Sequence, residues 1–164
     1  MDEDKKLLHS LLVPLVGRRL ILPRACVAEV IGLGRFRLRE EAPDWLLGEV
    51  GWSERNVPLL SFEAACGDPV PEISGRSRAV IIRTVTGKLG RSGMAILCQG
   101  LPQLLRLSEE VVQLDDSTDG NGNHPGDAPV LCRVKVLNET PLVPDLERLE
   151  LDIARLLQAP SSEN

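Results

Sequence analysis

The stretch Arg78–Cys98 (RAVIIRTVTGKLGRSGMAILC) decides the fold class. It opens on an apolar run, passes through Gly87-Lys88-Leu89-Gly90-Arg91-Ser92-Gly93, and resumes with Met94-Ala95-Ile96-Leu97-Cys98. A glycine-rich phosphate loop also begins this way, but it requires a helix to follow, because the helix N-terminus supplies the amides and partial positive charge that hold phosphate. The second run reads instead as a return strand, which makes the glycine-rich segment a hairpin turn.

The chain on both sides repeats this grammar of short apolar runs broken by Gly and Pro, the mark of an all-β barrel or sandwich. Candidate strands are Leu11–Val16, Arg19–Leu22, Val27–Ile31, Val57–Phe62, Ala79–Val85, Met94–Cys98, Leu104–Leu107 and Val130–Leu137. In the last, Val130, Cys132, Val134 and Val136 share one face while Arg133 and Lys135 project from the other, the period of two that gives a strand one dry face. The segment Cys66–Ser77 (CGDPVPEISGRS) is expected to link two structural halves, and Asp115–Pro129 (DDSTDGNGNHPGDAP) to form a mobile loop. After Pro144-Asp145 the period changes: Leu146, Leu149, Ile153, Leu156 and Leu157 recur at helical spacing, with Leu151 off the stripe. The expected layout is an N-terminal segment 1–10, one domain 11–158 and a C-terminal tail 159–164.

A length of 164 residues suits one sizeable core or two small barrels that share one. With 2% aromatic residues and no tyrosine, that core must be built from Leu, Val and Ile. The net charge of −5 opposes broad attraction to nucleic acid, whose non-specific binding depends on neutralising phosphates. One segment runs the other way, since Arg18, Arg19, Arg24, Arg35, Arg37 and Arg39 have Glu29 as their only acidic neighbour before Glu40. The alternative reading is therefore a small β-barrel that binds nucleic acid through 18–39, although without stacking aromatics such a groove lacks half its usual equipment. Cys26, Cys66, Cys98 and Cys132 form no C-x-x-C pair and read as free thiols in a reducing compartment. An acidic N-terminus and the absence of any long apolar run imply a cytoplasmic location and no membrane insertion.

Sites that carry chemistry fail one by one. Asp115, Ser117, Asp119 and Gly120 imitate the start of a calcium loop, yet the twelfth position is Gly126 where a bidentate Glu is required. His9 lies in the N-terminal segment and His124 in the expected mobile loop, where a general base would be poorly fixed, and Ser61, Ser92 and Cys98 lack the setting of an activated nucleophile. No catalytic residue, metal or cofactor is expected.

The order of the remaining segments carries a resemblance. Arg19–Leu22 (RLIL), Cys26–Ile31 (CVAEVI), Ala42–Val50 (APDWLLGEV), Trp52 and Val57–Glu63 (VPLLSFE), followed by Arg78–Val85, Gly93–Gln99, Gly100-Leu101-Pro102 and Leu104–Leu107, resemble the CheW family of chemotaxis coupling proteins. The likeness extends over roughly Leu11 to Leu157. Trp52, placed six residues before Pro58, and Gln99-Gly100-Leu101-Pro102 are more similar to the branch serving type IV pili and twitching motility, often called ChpC or PilI, than to the flagellar branch.

The resemblance implies two SH3-like, five-stranded β-barrels sharing a core, with a C-terminal amphipathic helix. It also implies a scaffold without catalysis, docked on the regulatory domain of a CheA-type histidine kinase and on the tip of a methyl-accepting chemoreceptor. The interface residues it suggests are Glu29 and Val30, then Trp45, Gly51 and Trp52, then Arg55, Pro58 and Leu59. The sequence departs from the family at the turn before Pro58, where an Arg-Gly pair is usual and Ser53-Glu54 stands. The family's arginine is associated with the glutamate matching Glu29, so that ion pair is missing here unless Arg55 replaces it.

Overall fold

The computed structural model describes residues 7–34, 36–38, 41–90, 93–115 and 128–158. The calcium-like positions after Asp115, His124, most of the Asp115–Pro129 loop, Ser92 and the 159–164 tail lie outside them. The elements are β1 (Leu7–Pro14), β2 (Arg19–Pro23), β3 (Val27–Gly32), β4 (Phe36–Leu38), β5 (Leu46–Trp52), β6 (Arg55–Leu60), α1 (Phe62–Ala65), β7 (Arg78–Ile82), β8 (Met94–Cys98), β9 (Gln103–Ser108), β10 (Val112–Leu114), β11 (Val130–Val136), β12 (Leu142–Pro144) and α2 (Leu146–Gln158).

They form two six-stranded sheets, ordered β10-β11-β12-β2-β1-β9 and β3-β7-β8-β6-β5-β4. In each order the two end strands are neighbours in the chain: β9 runs into β10 through a 3-10 turn at Glu109–Val111, and β3 precedes β4. Each sheet thereby curls into a small barrel of the SH3 kind. The expected hairpin is present, with Ile82 opposite Met94 and Arg78 opposite Cys98. Gly93 completes its turn at φ 69°, where a Cβ would lie 2.0 Å from the Ile82 carbonyl oxygen; only glycine permits so close a return.

The structure changes the expected layout in three respects. Residues 66–77 separate two halves of the chain, β1–α1 and β7–α2, but not the two barrels, because β6, β7 and β8 belong to one sheet. β6 and β8 are parallel neighbours, and a parallel pair needs a crossover, which this Pro-rich segment supplies. The second barrel, β3–β8, is instead inserted between β2 and β9 of the first. Residues 7–10, read as part of an N-terminal segment, pair with Leu105–Ser108 and belong to β1. Each sheet has six strands where five were expected, through short pieces such as β4 and β10 that are too brief for periodicity to register.

Three apolar clusters follow from this topology. Ala79, Ile81, Ala95, Leu97, Val57 and Leu59 fill the second barrel, and Ile21, Leu107, Val134 and Val136 the first. Between the barrels lies the largest cluster, in which Leu11, Val13, Leu20 and Leu22 of one sheet meet Leu60, Val80, Ile82, Met94 and Ile96 of the other. Leu149 and Ile153 of α2 seal it, as the helical stripe predicted.

The two sheets are built alike. Read from β4, the second runs β4-β5-β6-β8-β7-β3 against β10-β11-β12-β2-β1-β9, with parallel pairing at the same step, β6 to β8 and β12 to β2. Bulges at Leu46/Gly48 and Val130/Cys132, left-handed residues Ser53 and Leu137, and helix-capping side chains Ser61 and Asp145 follow one another at the same spacing in both segments. The chain is thus a tandem repeat, β1–α1 followed by β7–α2, in which the leading hairpin of each repeat completes the barrel of the other.

Among the described residues two acids are buried, Glu63 and Glu150. The Glu63 carboxylate accepts the Val16 N–H at 3.0 Å. The Glu150 carboxylate accepts the N–H groups of Val85 at 2.7 Å and Thr86 at 3.2 Å, and the Thr84 hydroxyl. Burial pushes the Glu150 pKa up, but the hydrogen bonds from Thr84, Val85 and Thr86 outweigh it and hold the group below the usual carboxylate range. A depressed folded-state pKa stabilises the fold above the unfolded value of about 4.3 and ceases to do so as pH falls through the folded value. Glu150→Ala, which removes these charge-assisted bonds, is expected to cost about 2 kcal/mol in urea unfolding at neutral pH. The deficit should shrink as the measurement is repeated at pH values descending below about 4.

Candidate functional site

The β5–β6 hairpin gathers the largest share of the residues singled out by the resemblance. Its strands pair from Leu46 opposite Leu60 to Trp52 opposite Arg55, which leaves Ser53-Glu54 as a two-residue turn. Such a turn follows the right-handed strand twist only if its residues take positive φ, and Ser53 and Glu54 do so at 50° and 63°. An L-residue pays a steric penalty there that glycine avoids. The departure from Arg-Gly at this turn therefore leaves its geometry intact and adds strain.

Trp52 stands at the base of that turn, half-buried against the apolar filling of the second barrel. Its indole Nε1–H donates to the Glu29 carboxylate at 2.7 Å. A bond to an ionised acceptor at this distance is of the stronger, charge-assisted kind. β3 and β5 are not neighbours in the sheet order, so the contact spans the seam where the barrel closes. The acid thus has a partner, and it is the tryptophan rather than Arg55. Glu29, Gly51 and Arg55 are exposed beside it, and together the four make one end of the second barrel.

The other residues lie elsewhere. Val30 and Trp45 are half-buried against the inter-barrel core, and the Trp45 carbonyl accepts the Ser61 N–H at 2.8 Å. Pro58 and Leu59 are buried in β6, Leu59 at 0% exposure inside the second barrel. β6 pairs its backbone at these two positions with Glu49 and Gly48, and Leu59 packs with Val57 inside the second barrel.

Rival sites lose their materials. Arg18 pairs with Asp68 at 2.9 Å, Arg19 with Glu139 at 2.9 Å, and Arg24 donates to the Val27 carbonyl, so three cations of the arginine-rich stretch are engaged within the protein. Arg35 and Arg39 lie outside the described residues. An open cleft of about 380 Å³ is lined by Leu15, Gly17, Arg18, Arg19, Glu139 and Thr140, and its acid is already tied to Arg19. Ser61 is buried as the cap of α1, its Oγ accepting the Ala64 N–H, and His9 is exposed on β1 opposite Arg106. Burial pushes the Cys66 and Cys98 thiols up to about 11, which keeps them protonated and poorly nucleophilic at neutral pH. Among the described residues no cluster of His, Cys, Asp and Glu is placed to hold a metal ion, and no helix is long and apolar enough to cross a membrane.

What the sequence reading missed are the buried acids Glu63 and Glu150 and the left-handed pair Ser53-Glu54. A Ser-x-Glu beginning at Ser61 hinted at the first; no sequence signal marked the second.

The model of the CheW-like domain family matches residues 9–148. No curated protein matches the chain. Among solved structures, the scaffolding protein TtCheW from Thermoanaerobacter tengcongensis has a similar fold, with a TM-score of 0.70 at 15% sequence identity over 87% of this chain and 87% of that one.

Restoring glycine at the turn tests the strain directly. Glu54→Gly is expected to raise the free energy of unfolding by about 1 kcal/mol, read by chemical denaturation.

Proposed function

The chain belongs to the CheW-like domain family, and from that premise we propose that it is a non-catalytic cytoplasmic coupling protein, holding a chemoreceptor and a CheA-type histidine kinase together so that a change in one biases the other. The observation that carries this reading is the family match over nearly the whole paired-barrel fold, joined to an exposed barrel end at which Glu29, Trp52 and Arg55 converge. Small barrels leave turns and rims free, which is how a protein without a deep pocket recognises partners. Trp and Arg are the side chains most often found as energetic anchors of interfaces.

Within the family we assign the chain to the branch that serves type IV pili. The support is Trp52 ahead of the P-x strand and the Gln99–Pro102 segment between β8 and β9. In this reading the kinase regulatory domain meets the second barrel at its Trp52 end, and the receptor tip enters the junction where Val30 and Trp45 border the shared core.

Calorimetric titration of the full chain with the regulatory domain of a CheA-type kinase from the same genome tests the proposal. Saturable binding is expected, weakened by about tenfold or more in Trp52→Ala with the fold preserved by circular dichroism. A folded wild-type chain that binds neither kinase domain nor receptor, yet shifts DNA or RNA in a salt-sensitive manner, would overturn it.

A further inference from the structure

The two buried carboxylates act on corresponding hairpins from different helix positions: in the register that sets Ser61 on Asp145, Glu63 falls on Glu147 and Glu150 on Cys66. Glu63 lies on α1, which follows β6 of the second barrel, and it holds the Val16 N–H at the tip of the β1–β2 hairpin of the first. Glu150 lies on α2, which follows β12 of the first barrel, and it holds the Val85 and Thr86 N–H groups at the tip of the β7–β8 hairpin of the second. Both bonds therefore run from the helix of one barrel to the hairpin tip of the other. Both tips are otherwise open to water: Val16 is 56% exposed and Val85 is 53% exposed, while Glu63 and Glu150 are 1% and 0% exposed.

A local need does not explain this placement. A backbone N–H at an exposed turn is readily satisfied by water, so burying a carboxylate to reach it is costly unless the bond fixes something else. The remaining inter-barrel contact is chiefly an apolar cluster, which is strong but non-directional, with one backbone bond from the Gln99 N–H to the Pro14 carbonyl at 2.9 Å where the chain leaves β8. A directional bond at each of the two hairpin tips bears on the angle between the barrels. On the first side the lock is reinforced by Arg18 at the same tip, paired with Asp68 just beyond α1.

We propose that Glu63 and Glu150 are two latches that set the angle between the two barrels, and with it the shape of the junction at which a partner docks. The first half of that statement concerns the isolated chain; the second rests on the coupling role proposed above. Both glutamates are positioning residues, acting through the hairpin tips they hold.

The test uses the full chain without a partner. Amide hydrogen exchange should find the Val16 and Val85 amides protected although their side chains are exposed. Glu63→Ala should accelerate Val16 by about tenfold or more, and Glu150→Ala should do the same for Val85 and Thr86. Residual dipolar couplings should fit one common orientation for all strands in the wild type. In each alanine variant β1, β2 and β9–β12 should fit one orientation and β3–β8 another, each barrel remaining intact. Glu63→Gln and Glu150→Gln keep an acceptor oxygen and should restore the wild-type angle. Should an alanine variant not fold, Glu63→Asp and Glu150→Asp, one methylene shorter, are expected to change the angle. An unchanged angle in the folded alanine variants, or in the aspartate variants where alanine fails, overturns the proposal, as does fast exchange of Val16 and Val85 in the wild type. Kinase-domain binding is then titrated separately: if the wild type binds no partner the coupling role fails, and the latch assignment is still decided by the angle.

Discussion

The constraint on which the molecule depends is that its central strands are buried on both faces. β7 sends Ala79 and Ile81 into the second barrel and Val80 and Ile82 into the space between barrels; β8 divides Ala95 and Leu97 from Met94, Ile96 and Cys98 in the same way. β2 repeats the pattern, with Ile21 on one side and Leu20 and Leu22 on the other. Each fully buried Leu, Ile or Val contributes about 1.5–3 kcal/mol of hydrophobic free energy. A strand that must be apolar on both faces cannot also carry converging acids, bases or ligands, so the interior of this fold is closed to chemistry. In the proposed coupling role, recognition falls to turns, barrel ends and the margins of the shared core.

The same constraint explains how much was legible in the sequence. Doubly buried strands are continuous apolar runs, so RAVII and MAILC stood out, and Val130–Val136 stood out by its alternation. β5 did not, since Gly48 and Gly51 interrupt it; a Cβ at Gly48 would fall 1.8 Å from the Arg37 carbonyl oxygen of β4, so the interruption is itself imposed by the strand pairing. Residues 66–77 mark the join of the two repeats but not of the two barrels, because a Pro-rich composition reports where the backbone crosses a surface, while sheet membership is decided by pairing partners far away in the chain. Of the interface residues suggested by resemblance, the structure brings Glu29, Gly51, Trp52 and Arg55 together. It buries Pro58 and Leu59, whose apolar character had the ordinary meaning of a core strand.

The tandem repeat was invisible in the residues because almost none of them match. What the repeats share is geometric: a bulge, a left-handed turn residue and a capping side chain at fixed intervals, each satisfied by a different amino acid. Ser61 and Asp145 both accept an N–H three residues ahead, and Gly48 and Cys132 both follow a bulge. Ser53 and Leu137 both accept positive φ, a conformation for which neither is suited. Retained geometry with exchanged side chains is what the pairing of two curled sheets demands, since a slip of one residue in either hairpin would turn every inward side chain outward.

The end of the second barrel shows how function can be re-specified inside such a frame. In the family pattern the acid matching Glu29 is associated with an arginine, and that pair is electrically neutral. Here the acid is held by the Trp52 indole, a neutral donor, so the hydrogen bond is satisfied and the negative charge is not cancelled. Glu54 adds an exposed acid at the adjoining turn, at a position where the family's glycine has no side chain. The barrel seam is closed here by a hydrogen bond that leaves the Glu29 charge uncancelled, and Glu54 makes this end more negative still. Complementary charge governs encounter and partner choice more than it governs the strength of the final complex. In the proposed coupling role, the uncancelled charges of Glu29 and Glu54 at this seam would bear on which partner the barrel end attracts.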